Sequence, residues 1–166
     1  MKVFKDLISG DEFFSDSFPH EITMNDACIE TMAKYVTKGA EVVMLATDEE
    51  EEDAGEGETV IDIQDKFGLN EIQGWSKQEF MMWARGYLQK TSAKLTELGK
   101  ADRIPGFKKG ATELVKLIAG KWSEMQLFCG EKMDYEGALC FAYQKEQEDE
   151  GPTFLFFRDG LKEMKY

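Results

Sequence analysis

The segment Trp75-Ser76-Lys77-Gln78-Glu79-Phe80 contains the clearest helix start in this sequence. Ser76 and Glu79 have the spacing of a capping box, in which the serine side chain accepts from the glutamate amide and the glutamate side chain accepts from the serine amide. Trp75 and Phe80 occupy the positions of a hydrophobic staple. Apolar or small residues then recur at helical spacing, and Gly99 is suited to end the helix. The stripe consists of Phe80, Ala84, Tyr87, Leu88, Thr91, Leu95 and Leu98.

A second helical stripe begins after a short link. Asp102 is a candidate N-cap for this helix, and Pro105 is tolerated in a first turn. Two amphipathic helices with so short a connection pack antiparallel, so residues 76–122 are predicted to form an inserted helical hairpin. The second stripe consists of Ile104, Phe107, Ala111, Leu114, Val115, Ile118 and Trp122.

Strand-like segments lie on both sides of the predicted hairpin. Asn25-Asp26 is a turn pair between two of them, Asp159-Gly160 predicts a tight turn, and Gly10 suits a positive φ. The order of strands, two helices and strands predicts an α+β fold of mostly antiparallel strands, in one domain covering residues 1–166. The predicted strands are Val3-Phe4, His20–Met24, Cys28–Val36, Val42–Leu45, Thr59–Ile63, Gln126–Cys129, Ala138–Tyr143 and Thr153–Phe157.

Composition limits the classes of protein to consider. Of the 166 residues, 42% are hydrophobic and 32% charged, which is typical of a globular domain. The net charge of −13 disfavours nonspecific binding to nucleic acid phosphates, so we expect no specific nucleic acid partner. Three cysteines without regular spacing argue against a disulfide framework, and no apolar run is long enough for a transmembrane helix. With no N-terminal signal-peptide pattern, a cytoplasmic location is expected.

The segment from Asp48 to Glu58 has eight acids among its eleven residues. Repulsion between like charges predicts a mobile, disordered acidic loop at residues 46–58. Its carboxylates supply oxygen ligands without the EF-hand pattern, so any calcium binding is expected to be weak, at roughly 0.1–1 mM. The alternatives to calcium binding are that this segment is only a solvated loop or that it makes a loose contact with a partner protein. The candidate calcium ligands are Asp48, Glu49, Glu50, Glu51, Glu52 and Asp53.

The sequence offers little for catalysis. His20 is the only histidine, and no serine or cysteine nucleophile can be paired with it. The cysteines lack metal-site spacing and are interpreted as core residues. The glycine-containing segment at residues 55–58 lacks the lysine and hydroxyl residue of a phosphate-binding loop. We therefore expect a protein that is not an enzyme and has no tightly bound cofactor.

Two acidic positions are candidates for partner contacts. Asp11 and Glu12 lie in an N-terminal turn next to Phe13-Phe14, a pair expected to be exposed. Glu131 follows Gly130 at the end of a predicted strand. Exposed acids on rigid loops can bind basic partners, although such acids are also commonly just solvated.

Four segments together resemble the translationally controlled tumour protein family. "DLISGDEFFSD" at residues 6–16 is similar to the start of that family, and "FFRDGLKEMK" at residues 156–165 is similar to its closing motif. "FCGEKM" at residues 128–133, followed by "YEG", resembles an internal motif, and "GEGETVID" at residues 55–62 resembles the exit of the family's acidic loop. The order and spacing of these four segments agree with those of the family across essentially the whole chain. The segments "MLATDEEEE" and Asp134–Gly137 depart from the usual family pattern.

The resemblance implies a β-tent with a protruding helical hairpin and a mobile acidic loop. It also implies a non-enzymatic binding protein associated with calcium, microtubules, growth and survival control, elongation factors and Ras-like GTPases. Glu12 and Glu131 match family positions implicated in GTPase contact, and Asp11 is taken with them as a partner-binding surface. The implied partners are tubulin, translation elongation factors, small GTPases and survival factors. A monomer is expected, cytoplasmic and at times associated with the cytoskeleton or the mitochondrial surface.

The hairpin is basic on an acidic chain. Residues 77–121 contain ten Lys/Arg and four Asp/Glu, a net charge of +6. This polarity suggests a surface for acidic partners such as tubulin tails, with ordinary solvated helix faces as the alternative. A low-affinity calcium buffer or sensor and a chaperone-like acidic shielding protein are the other functions considered. The candidate basic residues are Lys90, Lys94, Arg103, Lys108 and Lys109.

Overall fold

The computed structural model describes residues 1–38, 58–147 and 149–165. The predicted strand Val42–Leu45 lies outside these ranges. So do residues 46–57 of the predicted acidic loop, including the calcium candidates at positions 48–53. Glu58, predicted to belong to the loop, is instead the first residue of a strand.

Eleven strands in the described part of the chain form three antiparallel sheets. The largest has the order β3-β4-β10-β9-β8-β7, a second has the order β11-β1-β2, and β5 pairs with β6. The strands are β1 Lys2–Asp6, β2 Glu12–Ser15, β3 His20–Thr23, β4 Cys28–Met32, β5 Tyr35–Lys38, β6 Glu58–Ile61, β7 Asn70–Ile72, β8 Gln126–Cys129, β9 Leu139–Tyr143, β10 Thr153–Phe157 and β11 Leu161–Lys165.

The centre of the six-stranded sheet is buried on both faces. Every residue of β9 and β10 is buried, which explains their nearly continuous apolar sequences. β4 pairs antiparallel with β10, and Phe156 lies opposite Ile29. The predicted strands at these positions are confirmed, although the predicted segment Cys28–Val36 is interrupted at Ala33-Lys34.

The predicted helical hairpin is confirmed. Helix α2 spans Lys77–Glu97 and helix α3 spans Ile104–Gly120. The Ser76 hydroxyl accepts from the Glu79 amide at 3.1 Å, and the Glu79 carboxylate accepts from the Ser76 amide at 3.3 Å, as the capping box predicts. Gly99 adopts a φ of 73° after the end of α2.

The predicted cap of the second helix is wrong. Asp102 lies inside a short 3-10 helix, Ala101–Arg103, and the N-cap position of α3 is Arg103, which has no side-chain cap. The 3-10 turn continues into α3 with helical backbone angles, so there is no extended residue at which Asp102 could act as a cap.

An aromatic cluster attaches the hairpin to the large sheet. Phe80 of α2 stacks on Trp122 at 5.3 Å between ring centroids and meets Phe141 of β9 edge-on at 5.4 Å. Trp83 stacks on Tyr87 at 4.7 Å, and Tyr87 lies 5.4 Å from Phe157 of β10. The apolar stripe of α2 therefore packs on the sheet rather than only on the partner helix.

The hairpin also approaches the turn between β3 and β4. Met24, Asn25 and Asp26 all have positive φ there, consistent with the predicted turn pair. A side chain at Gly110 of α3 would collide with the carbonyl oxygen of Met24. The absence of a side chain at Gly110 thus permits the close approach of helix and turn.

Several elements were not predicted, among them the strands β2 and β11. A helix, α1 (Asp62–Phe67), replaces the end of the predicted strand Thr59–Ile63, and it buries Ile63 and Phe67 one turn apart. The short strand β7 follows it. The predicted turn at Asp159-Gly160 is a 3-10 helix, Arg158–Gly160, that leads into β11 of a different sheet. No helix in the described ranges is long and apolar enough to cross a membrane.

Candidate interaction surface

A buried carboxylate at the end of β1 organises the N-terminal loop, residues 7–11. Asp6 is 3% exposed, and its Oδ2 accepts from the amide of Ser9 at 3.1 Å and from the hydroxyl of Ser9 at 2.6 Å. Its Oδ1 accepts from the amide of Ile8 at 3.1 Å. The same Oδ2 accepts from the amide of Ala138 at 2.9 Å, so Asp6 also holds the chain that enters β9.

A second buried carboxylate joins the N-terminal loop to the loop at residues 130–138. Asp11 is 7% exposed, and its Oδ2 accepts from the amide of Lys132 at 3.1 Å. The ammonium of Lys132 donates to the carbonyl of Ser9 at 2.8 Å, which adds a second bond from the same residue to the N-terminal loop. Gly130 permits this contact, because a side chain there would collide with the Asp11 carboxylate. The two loops are therefore held together by hydrogen bonds from Lys132 to Asp11 and Ser9.

The prediction of Asp11 as an exposed partner-binding acid is wrong. Its carboxylate is buried and occupied within the fold, because the loop at residues 130–138 presents a backbone amide to it. Glu12 and Glu131 remain exposed, and each is adjacent in sequence to this contact. Glu12 begins β2 directly after the N-terminal loop, and Glu131 lies in the loop at residues 130–138. We name these two exposed acids, together with the two loops, the acidic loop pair.

Glu131 is further positioned by the segment that follows α1. Gly68 ends that helix with a φ of 64°, and the carboxylate of Glu131 lies over it, 3.4 Å from where a side chain would begin. The side-chain amide of Asn70 donates through Nδ2 to the backbone carbonyl of Gly130 at 3.2 Å. The backbone before Glu131 is thus bonded to β7 on one side and contacts Asp11 on the other.

The prediction that Phe13-Phe14 is exposed is wrong. Phe13 is 1% exposed and Phe14 is fully buried. Phe14 packs against Phe4 at 5.5 Å and against Phe156 at 5.2 Å, which connects the small sheet to the large one. Both rings therefore belong to the core beneath the acidic loop pair.

The predicted basic residues of the hairpin have different environments. Lys90 lies 3.7 Å from Glu136, and Lys94 lies 3.5 Å from Glu97, so these charges are partly compensated at the surface. Lys108 and Lys109 are exposed. Lys108 also lines a shallow groove of about 440 Å³ between the helices, together with Arg85.

Arg103, predicted as a surface cation of the hairpin, is partly exposed, with a side-chain exposure of 26%, and it bonds within the fold. Its guanidinium makes a bidentate contact with Asp159, with distances of 2.7 Å and 3.1 Å, and it donates to the carbonyl of Asn25 at 2.6 Å. Hydrogen bonding to Asp159 raises the pKa of Arg103 above its usual value. Arg103 therefore joins the base of the hairpin to the body of the protein.

The candidate nucleophiles lie in unreactive environments. Cys28, Cys129 and Cys140 are free and buried. Burial raises the pKa of Cys28 to about 11, and it also raises the pKa of Cys129 and Cys140. The thiolate, which is the nucleophilic form, is thus disfavoured at all three positions. His20 is exposed, and its Nδ1 lies 3.0 Å from the carbonyl oxygen of Phe18.

Sequence reasoning missed the residues that build the acidic loop pair. Asp6 and Lys132 had no assigned role, yet both make bonds between the loops. Asp6 and Ser9 have the spacing of a local carboxylate turn, which is a recognisable signal. No local signal identifies Lys132, because its partners lie more than 120 residues earlier in the chain.

The chain is similar in sequence and in overall fold to known proteins. The family model described as translationally controlled tumour protein matches residues 1–162. A solved structure of the translationally controlled tumor-associated protein p23fyp from Schizosaccharomyces pombe is similar over 100% of both chains, with 30% identity and a TM-score of 0.79. The solution structure of the translationally-controlled tumor protein from Caenorhabditis elegans shares the fold at 22% identity and a TM-score of 0.63, covering 100% of this chain and 99% of that one.

The α+β fold, its helical hairpin and the match over residues 1–162 identify the same group of proteins. This chain belongs to the translationally controlled tumour protein family.

Proposed function

We propose that this protein acts by binding other proteins rather than by catalysis, and that the acidic loop pair is its contact surface for Ras-like GTPases and elongation factors. The observation that carries the proposal is the hydrogen bond between Asp11 and the Lys132 amide, which fixes the loops presenting Glu12 and Glu131. A preformed surface loses little conformational entropy on binding, so two exposed carboxylates can contribute to affinity for a basic partner.

The experiment compares the affinity of a Ras-like GTPase for the wild-type chain and for Glu12→Ala/Glu131→Ala. Loss of two exposed charges is expected to weaken binding about tenfold, more strongly at low salt. The matched control is Glu71→Ala/Glu97→Ala, since both residues are exposed acids outside the acidic loop pair. Equal affinities for wild type and the double variant, with the fold intact by circular dichroism, would reject this surface.

The basic hairpin is the proposed surface for acidic partners such as tubulin tails. Its support is the exposed position of Lys108 and Lys109 on α3, in a chain whose total charge is −13. Microtubule co-sedimentation of Lys108→Glu/Lys109→Glu tests this role. Retention of the wild-type bound fraction at low salt would contradict it.

Calcium buffering or sensing through Asp48–Asp53 is retained as a second candidate, because eight acids lie within residues 48–58. Titration calorimetry with calcium, before and after deletion of residues 48–57, tests it. Absence of heat below millimolar calcium would reject a sensor. Growth and survival control, a cytoplasmic location and association with the cytoskeleton or mitochondrial surface follow as expectations from the family. A chaperone-like shielding role is supported by the net charge of −13 and by the nine methionines.

A further inference from the structure

A cleft of about 670 Å³ lies between the end of the helical hairpin and the three-stranded sheet. Its lining includes Leu7 of the N-terminal loop but neither Glu12 nor Glu131. Phe4, Leu95 and Leu161 form an apolar floor, and all three are buried. Leu98 lines the cleft as well, but it is 48% exposed, which is high for a large apolar side chain beside such a floor.

The cleft is bordered by a sheet edge. All five residues of β11 pair with β1, and the structure describes no strand on the other side of β11. An edge strand presents alternate backbone N–H and C=O groups that can pair with another extended segment. Leu161 and Glu163 of β11 line the cleft, so a strand added at this edge would place alternate side chains over the apolar floor.

Charge in the cleft favours an acidic occupant. Two of its carboxylates are already compensated, since Asp159 pairs with Arg103 and Glu163 lies 3.5 Å from Lys2. Lys100, Arg158 and Lys162 also line the cleft, and none of them forms an ion pair with a residue that the structure describes. The guanidinium of Arg158 donates instead to the carbonyl of Asp26 at 3.2 Å.

Asp102 is the remaining carboxylate in the cleft, so the lining leaves an excess of positive charge on a protein of net charge −13. Lysines on an edge strand block pairing with neutral or basic strands. The same lysines attract an acidic strand, which makes the edge selective.

We propose that the β11 edge and this cleft bind an extended acidic segment of a partner protein, in which acidic and apolar residues alternate. The segment adds to the sheet as a fourth strand beside β11. Its apolar side chains contact Leu95 and Leu98, and its carboxylates contact Lys100 and Lys162. This inference rests on the proposed role as a binding protein and deepens it with a surface that contains none of the charged residues Glu12, Glu131, Lys108 and Lys109.

The test uses a fluorescent synthetic peptide of alternating glutamate and leucine, with binding followed by anisotropy at low salt. Lys100→Glu/Lys162→Glu is expected to weaken binding about tenfold, whereas the control Lys66→Glu/Lys77→Glu, at two exposed lysines outside the cleft, retains affinity within about twofold. Greater loss in Lys108→Glu/Lys109→Glu than in Lys100→Glu/Lys162→Glu places the peptide on the hairpin and overturns the proposal. Failure of the wild-type chain to bind at millimolar peptide also overturns it.

Backbone pairing is tested with two modified peptides, one N-methylated at every leucine and the other at every glutamate. Only alternate amides of an added strand face β11, so one peptide is expected to lose binding and the other to keep it. Equal behaviour of both peptides overturns strand addition. Self-association of the wild-type chain that is abolished in Lys100→Glu/Lys162→Glu assigns the edge to a second copy and overturns the proposal as well.

The result of the peptide-binding experiment can be distinguished from the result of the GTPase-binding experiment. Glu12→Ala/Glu131→Ala is expected to bind the peptide as wild type does, and Lys100→Glu/Lys162→Glu is expected to bind the GTPase as wild type does. Loss of peptide binding in Glu12→Ala/Glu131→Ala overturns the cleft, while GTPase binding by Glu12→Ala/Glu131→Ala that equals wild type rejects the acidic loop pair.

Discussion

The carboxylate of Asp11 accepts a hydrogen bond from the backbone amide of Lys132 across 121 positions of sequence, at 3.1 Å. This contact, with that of Asp6 to the Ala138 amide at 2.9 Å, binds the N-terminal loop to the loop before β9. The exposed acids Glu12 and Glu131 flank these buried bonds. The proposed binding surface thereby rests on internal hydrogen bonds rather than on mobile side chains alone.

Replacing Asp11 by alanine is expected to destabilise the protein, because it leaves the Lys132 amide without its buried acceptor. The free energy of unfolding should fall by about 1–3 kcal/mol in denaturant titration. Asp16→Ala is the matched control, since the Asp16 carboxylate accepts from the Lys2 amide at 3.0 Å in an exposed position. The control should change by at most about 0.5 kcal/mol. Equal effects of the two substitutions would contradict a structural role for Asp11.

The ion pair between Arg103 and Asp159 is expected to stabilise the attachment of the hairpin. The Asp159 side chain is 5% exposed, so the guanidinium is the partner that compensates for the water its carboxylate lacks. A double-mutant cycle with alanine at both positions should give a coupling energy of about 1.5–3 kcal/mol. Arg103→Lys should recover little of it, because an ammonium cannot make the bidentate contact.

The control cycle is Lys94 with Glu97, an exposed pair on the same hairpin. Its coupling energy should be at most about 0.5 kcal/mol. A coupling between Arg103 and Asp159 no larger than that of the control would show that the bidentate contact adds nothing to the fold.

Two glycines on the hairpin should respond oppositely to alanine. At Gly110 a Cβ would collide with the Met24 carbonyl oxygen, so Gly110→Ala is expected to cost about 1–3 kcal/mol. At Gly86, inside α2, a Cβ meets nothing within 4 Å, so Gly86→Ala is expected to stabilise by about 0.5–1 kcal/mol. Chemical denaturation of both variants measures the difference. Stabilisation by both substitutions would contradict the close packing of α3 on the β3–β4 turn.

Buried thiols should make stability fall at high pH. The pKa of Cys28 is raised from 9.0 to about 11, so the folded state holds its proton more tightly than the unfolded state. The contribution of the protonated Cys28 thiol to the stability of the fold is fully present below pH 9.0 and is lost as pH rises through about 11. The loss in the free energy of unfolding caused by Cys28 is at most about 2–3 kcal/mol.

Unfolding of wild type and Cys28→Ala, measured from pH 7 to pH 11, tests this prediction. The wild-type free energy of unfolding should fall more steeply above pH 9.0 than that of the variant. Parallel curves would show that Cys28 does not titrate with a raised pKa.

The hairpin was predictable because its signals are local. Ser76, Glu79 and Gly99 mark helix ends through contacts with residues only a few positions away. The buried strands β9 and β10 were likewise recognisable from their apolar sequences. These elements establish the α+β class without knowledge of how the sheets are connected.

Strand order and the buried loop contacts were not predictable from local patterns. β4 and β10 are neighbours although more than 120 residues separate them, and β11 joins the sheet of β1 rather than that of β10. Phe13-Phe14 suggested an exposed pair next to acidic residues, but α1 contacts β2 and Phe14 packs on Phe156. The environment of Asp11 depended on the same long-range arrangement.

The helix α1 was missed for a different reason. Ile61 and Ile63 alternate with polar residues, which is typical of a strand, while a helix of six residues shows too few turns for its own period to be recognised. Its C-terminal Gly68, with a φ of 64°, was the available signal for a helix end.

The most direct test of the account is amide chemical-shift mapping of the labelled chain titrated with a Ras-like GTPase. A binding surface on the acidic loop pair predicts that the largest changes occur at residues 7–12 and 130–137 and are strongly reduced in Glu12→Ala/Glu131→Ala. Largest changes on α2 and α3, or an unchanged spectrum at saturating GTPase, would contradict it.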